Sequence, residues 1–101
     1  MNAFELTRAL IDIESVTPNE TALGEYLHAY LSGVASRFDG QVEMMPVEPG
    51  RANVFARFGD PVVTFSTHMD TVPPFFPSSE DADQIWGRGA CDTKGIIAAM
   101  I

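Results

Sequence analysis

The feature that most constrains the fold is an apolar run at residues 61–68, PVVTFSTH, which ends on a histidine. A nearly continuous run of β-forming residues is typical of a central strand that is covered on both faces. Asp70 follows His68 by two positions, and strand residues at that spacing point to the same face. We therefore expect both side chains to project together at the C-terminal end of this strand, where open α/β sheets collect their ligand sites.

Two helices are predicted before this strand. Apolar residues recur at helical spacing over residues 3–13 and again over residues 19–33. Thr17 and Glu20 have the spacing of a capping box for the second helix, and Gly33 is expected to end it.

Short strands and loops complete the predicted elements. Residues 42–47 and 53–58 alternate as strands do, and Pro46 favours an edge position for the first of them. Residues 71–83 are rich in proline, serine and acids and are expected to be an irregular loop. Helices followed by strands predict a layered α/β domain.

The end of the sequence predicts a third helix. The last residues, KGIIAAMI, form an apolar helical pattern without a glycine, asparagine or proline to stop it. We therefore expect the chain to be a fragment of a longer protein.

Composition excludes several classes of partner. The net charge of −8 argues against nucleic acid and anionic lipid, which require basic patches. No segment has the length or hydrophobicity of a membrane span, and the acidic start of the chain is unlike a secretory signal. Cys91 is the single cysteine and has no partner for an internal disulfide. These properties predict a cytoplasmic protein that contacts neither nucleic acid nor membrane.

His68 and Asp92 each allow a functional and a structural interpretation. A neutral imidazole is the commonest metal ligand, and a neighbouring carboxylate such as Asp70 can accept its other N–H group. His68 and Asp70 are also compatible with a purely structural strand end. Asp92, in the glycine-rich stretch WGRGACDTKG at residues 86–95, has a carboxylate that could bridge two cations or cap the following helix.

Other residues of this region are less informative. The glycine-rich stretch matches neither a P-loop, because Lys94 precedes Gly95, nor a dinucleotide fingerprint, because Asp92 stands where the third glycine is needed. We interpret Cys91 as a small buried residue rather than a zinc ligand. Arg88 and Lys94 are compatible with binding an anionic substrate group or with a structural role, and His28 is expected at or near the surface.

Taken together, STHMDTVP and GRGACDTKG resemble the motifs of the M20 family of metallopeptidases. LIDIESVTPNE is similar to that family's opening helix and turn, so the resemblance covers essentially all 101 residues. It implies a zinc-peptidase-like, three-layer catalytic domain, with a mixed sheet flanked by helices. Residues 1–101 would be the N-terminal portion of this domain, and a lid domain would be inserted later in the chain.

The resemblance also implies a role for each site residue. Two Zn²⁺ ions, or Co²⁺ or Mn²⁺ in their place, would activate a water molecule; His68 would bind one ion and Asp92 would bridge both. Asp70 would be the active-site acid that holds the metal-binding imidazole, and the Asp92–Thr93 peptide would be cis. The general base would be a glutamate in a Glu-Glu pair that this chain does not contain, so residues 1–101 alone are expected to be inactive.

The function that this resemblance implies is metal-dependent hydrolysis of amide or peptide bonds in N-acyl amino acids or peptides. An alternative is a non-catalytic binding protein built on the same scaffold, and a nucleotide-binding domain is a third, less favoured hypothesis. A homodimer is compatible with the resemblance, in which the lid usually supplies the dimer contacts, but the sequence leaves the oligomeric state open.

Overall fold

The computed structural model describes residues 1–101. The chain forms three α-helices and two small antiparallel sheets, in the order α1 (Ala3–Ile11), α2 (Thr21–Ala35), β1 (Gly40–Glu48), β2 (Arg51–Phe58), β3 (Ser79–Glu80), β4 (Ile85–Trp86) and α3 (Gly95–Met100). These elements confirm the α/β class. None of the three helices combines the length and the apolar character that a bilayer crossing demands.

Helix α1 begins with a capping box, a feature that the sequence predicted only for the second helix. The Asn2 side chain accepts a hydrogen bond from the Glu5 N–H at 2.9 Å, and the Glu5 carboxylate accepts one from the Asn2 N–H at 2.9 Å. Two backbone donors that the helix leaves unpaired are satisfied in this way. The predicted helix over residues 3–13 is confirmed, with its end two residues earlier at Ile11.

Helix α2 corrects two expectations about its ends. Glu20 occupies the N-cap position and no side chain caps the helix, so the capping box between Thr17 and Glu20 was wrong. The Glu20 carboxylate instead accepts a hydrogen bond from Arg51 Nε at 2.5 Å. Gly33 does not end the helix, which continues to Ala35, because an exposed glycine costs only about 1 kcal/mol in a helix interior.

The two strands predicted over residues 42–47 and 53–58 are confirmed as β1 and β2, which pair as an antiparallel hairpin. Val42 pairs with Ala56 and Met44 with Val54, with an irregularity between Pro46 and Glu48. Gly50 turns the chain at a positive φ of 76°, a conformation that favours glycine. Helix α2 packs on this hairpin, and the Thr21 hydroxyl donates to the Gly50 carbonyl oxygen at 2.5 Å.

The apolar run before His68 departs from its prediction. No strand forms over residues 61–68, and Val62 and Phe65 are 96% and 73% exposed. A strand requires neighbours that pair its N–H and C=O groups, and residues 61–68 make no backbone–backbone hydrogen bond to another segment. For the same reason the mixed sheet is not formed by these residues; both sheets are antiparallel pairs.

The long loop after Thr71 is more ordered than predicted. Its residues Ser79–Glu80 pair with Ile85–Trp86 as a short antiparallel ladder. Asp12, which follows α1, accepts hydrogen bonds from the Ser78 N–H at 2.6 Å and the Ser78 hydroxyl at 2.9 Å. The loop is therefore anchored to the C-terminal end of α1.

The hydrophobic core joins the three helices. It consists of side chains from α1, α2 and α3, which bury one face each: Leu6, Leu10, Leu23, Leu27, Ile97 and Ala98. The predicted third helix is therefore confirmed, and its packing on α1 fixes the position of the residues that precede it.

Two glycine substitutions test this packing. A Cβ at Gly87 would lie 2.2 Å from Ile11 Cγ2, and Gly87 has a φ of 151°. We expect Gly87→Ala to lower the free energy of unfolding by at least the roughly 1–3 kcal/mol typical of overpacking. Chemical denaturation of the whole protein measures this change.

Gly33→Ala is the matched control, since a Cβ there would meet no atom within 4 Å. Because alanine favours a helix interior, we expect an unfolding free energy that is higher by up to about 1 kcal/mol. Equal effects of the two substitutions would contradict the packing described for Gly87.

Candidate metal centre

The segment that contains His68 and Asp70 is held alongside the segment that follows α1. The Thr71 N–H donates to the Ser15 carbonyl oxygen at 2.9 Å, and the Thr17 N–H donates to the Thr71 carbonyl oxygen at 3.0 Å. Val16 and Thr71 thus form an isolated parallel bridge. The buried Ser15 hydroxyl adds a bond to the Met69 carbonyl oxygen at 2.7 Å. This pairing fixes the backbone on both sides of Asp70.

Asp92 lies in a distorted turn that joins the glycine-rich stretch to α3. Residues Ala90–Lys94 form a π-helical turn in which Asp92 and Thr93 depart from helical angles. The Asp92–Thr93 peptide is cis, as the family resemblance implied. The Thr93 hydroxyl donates to the carbonyl oxygen of His68, which ties this turn directly to the histidine.

The three residues singled out in the sequence meet at the His68 imidazole. Its Nε2 lies 2.9 Å from Asp92 Oδ1, and its Nδ1 lies 3.0 Å from the Asp70 carbonyl oxygen and 3.2 Å from Asp70 Oδ1. A carbonyl oxygen can only accept, so Nδ1 carries a hydrogen atom. Nε2 is then the nitrogen that offers a lone pair in the neutral ring, and it faces the Asp92 carboxylate.

The two ring neighbours also set the electrostatics of the site. Burial alone would lower the pKa of His68, but hydrogen bonds to Asp70 and Asp92 and the charges of both carboxylates raise it above 6.5. The hydrogen bond from the Thr17 hydroxyl lowers the pKa of Asp70. Burial raises this pKa, the charge of His68 lowers it, and the net shift is downward. Both shifts favour a carboxylate at Asp70 and a positive charge at the ring.

The donor atoms fit a metal ion in part. Zinc bonds of about 2.0–2.2 Å at tetrahedral angles place two ligand atoms about 3.4 Å apart, and Nε2 and Oδ1 lie 2.9 Å apart. Asp92 is 80% exposed, so its carboxylate has room to open that separation. However, no group of three or more histidine, cysteine or acidic side chains converges in residues 1–101. This chain thus offers one imidazole and one carboxylate toward a metal.

Two interpretations of neighbouring residues are corrected by the structure. Lys94, not Asp92, stands at the N-cap position of α3, so the capping role considered for Asp92 is wrong. Cys91 is exposed rather than buried, because the distorted turn directs it away from the core.

The two basic residues beside the site have structural partners. Lys94 is 1% exposed and donates from Nζ to the Ile13 carbonyl oxygen at 2.7 Å. Burial lowers the pKa of Lys94 to about 8, and the charges of Asp12 and Glu14 oppose this shift. Arg88 donates to the Pro74 carbonyl oxygen at 2.8 Å and lies over the Phe76 ring at 5.0 Å. These contacts favour the structural interpretation over anion binding.

Thr17 belongs to this site, although its sequence pattern predicted a helix-capping role. Its hydroxyl donates to Asp70 Oδ2, whereas the capping-box pattern assigned it to α2. His28 is half-buried on α2, as expected, and takes no part in the site. The signal that could have located Thr17 was its place in LIDIESVTPNE, the third segment that carries the family resemblance.

The chain is similar to a known family model and to curated proteins. The sequence model of peptidase family M20/M25/M40 matches residues 64–101. A peptidase M20 domain-containing protein of Schizosaccharomyces pombe is 36% identical over 99% of this chain and 26% of its own length. A probable carboxypeptidase of Emericella nidulans is 39% identical over 95% of this chain and 24% of its own length.

A bacterial relative extends the comparison to another activity. The succinyl-diaminopimelate desuccinylase of Beijerinckia indica is 38% identical over 97% of this chain and 28% of its own length. The chain therefore spans about a quarter of the length of the curated relatives that it matches. No solved structure gives a significant match.

The contact between His68 and Asp92 predicts the titration of the ring in chelator-treated protein. Asp92→Asn removes one of the charges that raise the pKa of His68, so we expect that pKa to fall. NMR of the imidazole resonance, assigned with His68→Gln, measures it. A raised histidine pKa contributes stability that is complete below the unfolded value of 6.5 and is lost as pH rises through the folded value. Asp92→Asn should diminish this contribution.

Asp39→Asn serves as the control, because its carboxylate is not among the groups that shift His68. An Asp92→Asn titration that coincides with that of the Asp39→Asn protein would contradict the geometry described here.

Proposed function

Because this chain belongs to peptidase family M20/M25/M40, we propose that the whole protein is a metal-dependent hydrolase of amide or peptide bonds. In this proposal residues 1–101 are the N-terminal portion of the metal-binding catalytic domain. The observation that supports it most is the His68 imidazole held between Asp70 and Asp92, within the stretch that matches the family.

The roles that we propose for the three residues follow from their contacts. Asp70 accepts the Nδ1–H group of His68 and so leaves Nε2 as the nitrogen for a metal ion. Asp92 Oδ1 lies 2.9 Å from Nε2, so the Asp92 carboxylate would be a second ligand where His68 would bind a metal ion. Zn²⁺ ions, or Co²⁺ or Mn²⁺, would supply an activated water molecule and polarise the scissile carbonyl group when bound.

The exposure of this site supports a role in substrate hydrolysis. The His68 and Asp92 side chains are 51% and 80% exposed, so donor atoms of both can reach groups outside residues 1–101. A complete metal site requires further ligands, and the reaction requires a general base. We propose that the rest of the protein supplies both, and that residues 1–101 alone are inactive.

The substrate class is proposed from the relatives' names. One relative is named a probable carboxypeptidase and another a succinyl-diaminopimelate desuccinylase. We therefore propose peptides or N-acyl amino acids as substrates, with deacetylation among the reactions. The acidic composition and the family resemblance are the grounds for proposing a cytoplasmic location and a homodimer. A second candidate is a non-catalytic binding protein on the same scaffold, which residues 1–101 accommodate equally because they contain no Glu-Glu pair.

Hydrolysis assays of the whole protein test the main proposal. We expect activity on N-acyl amino acids or dipeptides that is lost with a chelator and restored by Zn²⁺, Co²⁺ or Mn²⁺. His68→Ala and Asp92→Ala should remove both activity and bound metal, because each deletes a metal ligand. Asp70→Asn should cost about 10–100-fold in activity or metal affinity, as is typical for a partner that orients a ligand.

His28→Ala is the matched histidine control, and Cys91→Ala tests the exposed thiol beside Asp92. Both variants should retain full activity and metal content. Metal binding that His68→Ala and Asp92→Ala leave intact would refute the proposed site. Metal bound by the wild type without turnover of any substrate would favour the binding protein.

A further inference from the structure

The Asp70 carboxylate is held at both of its oxygen atoms. Oδ1 lies 3.2 Å from His68 Nδ1, and Oδ2 accepts the hydrogen bond of the Thr17 hydroxyl. An ionised carboxylate can only accept, so Thr17 must be the donor in this contact. The rotation of the carboxylate about its own axis is therefore restrained from the side opposite the histidine.

The position of Thr17 is itself fixed by backbone contacts. Its N–H donates to the Thr71 carbonyl oxygen at 3.0 Å, one residue after Asp70 in the paired segment. Its hydroxyl lies 3.4 Å from that same carbonyl oxygen, which makes Asp70 the better-placed acceptor. The hydroxyl thus reaches Asp70 from a backbone that the parallel pairing holds in register.

We propose that Thr17 is a positioning residue that acts on the metal-binding histidine through Asp70. This inference rests on the proposed function, because it assumes that His68 binds a metal ion. The hydrogen bonds of Thr17 go to Asp70 and Thr71, and none goes to His68 or Asp92. Its effect should therefore pass through the carboxylate, which lies 3.2 Å from Nδ1 beside the closer Asp70 carbonyl oxygen at 3.0 Å and helps to set the orientation of the imidazole and the basicity of Nε2.

Substitutions in the whole protein test this role. Thr17→Val keeps the shape of the side chain but removes the donor, and Thr17→Ser keeps the donor. We expect Thr17→Val to weaken zinc binding by about three- to tenfold, less than the roughly 10–100-fold loss of a direct ligand partner. Competition with a chelating dye measures this affinity. Thr17→Ser should restore it, and KM at saturating zinc should not change.

A double-mutant cycle with Asp70→Asn separates the proposed route from a merely structural one. If Thr17 acts through Asp70, Thr17→Val should add little to the loss that Asp70→Asn already causes. Independent effects of the two substitutions would overturn the proposal. Thermal unfolding of each variant reports its folding, and Thr17→Ala repeats the test if Thr17→Val fails to fold.

The outcomes distinguish this inference from the proposed function. Unchanged zinc affinity in Thr17→Val, together with a loss in Asp70→Asn, would overturn the role of Thr17 and leave the metal site intact. Unchanged affinity in His68→Ala and Asp70→Asn would refute the metal site and the role of Thr17 with it. A loss in Thr17→Val that Thr17→Ser fails to restore would also overturn the positioning role, because the donor would then not be the cause.

Discussion

The pairing of residues 15–17 with residues 69–71 is the interaction on which the candidate site depends. Two backbone hydrogen bonds and the Ser15 hydroxyl join the segment after α1 to the segment that carries Asp70. The apolar run before His68 lies in no sheet, so β pairing on that side does not restrain the histidine. Within residues 1–101, the short parallel contact is the backbone pairing that positions Asp70.

Helices α1 and α3 hold the turn that carries Asp92. The Lys94 ammonium is buried at the end of α1, where it binds the Ile13 carbonyl oxygen and faces the charges of Asp12 and Glu14. A cation at that end of a helix also interacts favourably with the helix dipole. Because Lys94 follows Asp92 by two residues, this anchor limits where the Asp92 turn can lie. The buried Lys94 thus restrains the position of the exposed Asp92 carboxylate.

Local patterns in the sequence predicted the helices and the two strands of the hairpin. The proximity of His68 and Asp70 was expected from strand geometry and is observed although no strand forms. The grouping of Asp92 with His68 was implied only by the family resemblance. The failures have a common cause in contacts between distant residues. Thr17 and Glu20 have capping-box spacing. In the structure, however, the Thr17 hydroxyl donates to Asp70 and the Glu20 carboxylate accepts from Arg51. Strand formation at residues 61–68 and the exposure of Cys91 likewise depend on neighbours that local sequence does not reveal.

The bonds around the histidine connect residues far apart along the chain, and this bears on the order of assembly. Thr17 and Asp70 are separated by 53 positions, and Ile13 and Lys94 by 81. Closing such long loops costs entropy before any contact compensates for it, whereas helices and the β1–β2 hairpin form from nearby residues. During synthesis, the first half of the chain can fold locally while His68 still lacks its partners. The imidazole therefore gains its carboxylate neighbours only after residues from both ends of this segment have come together.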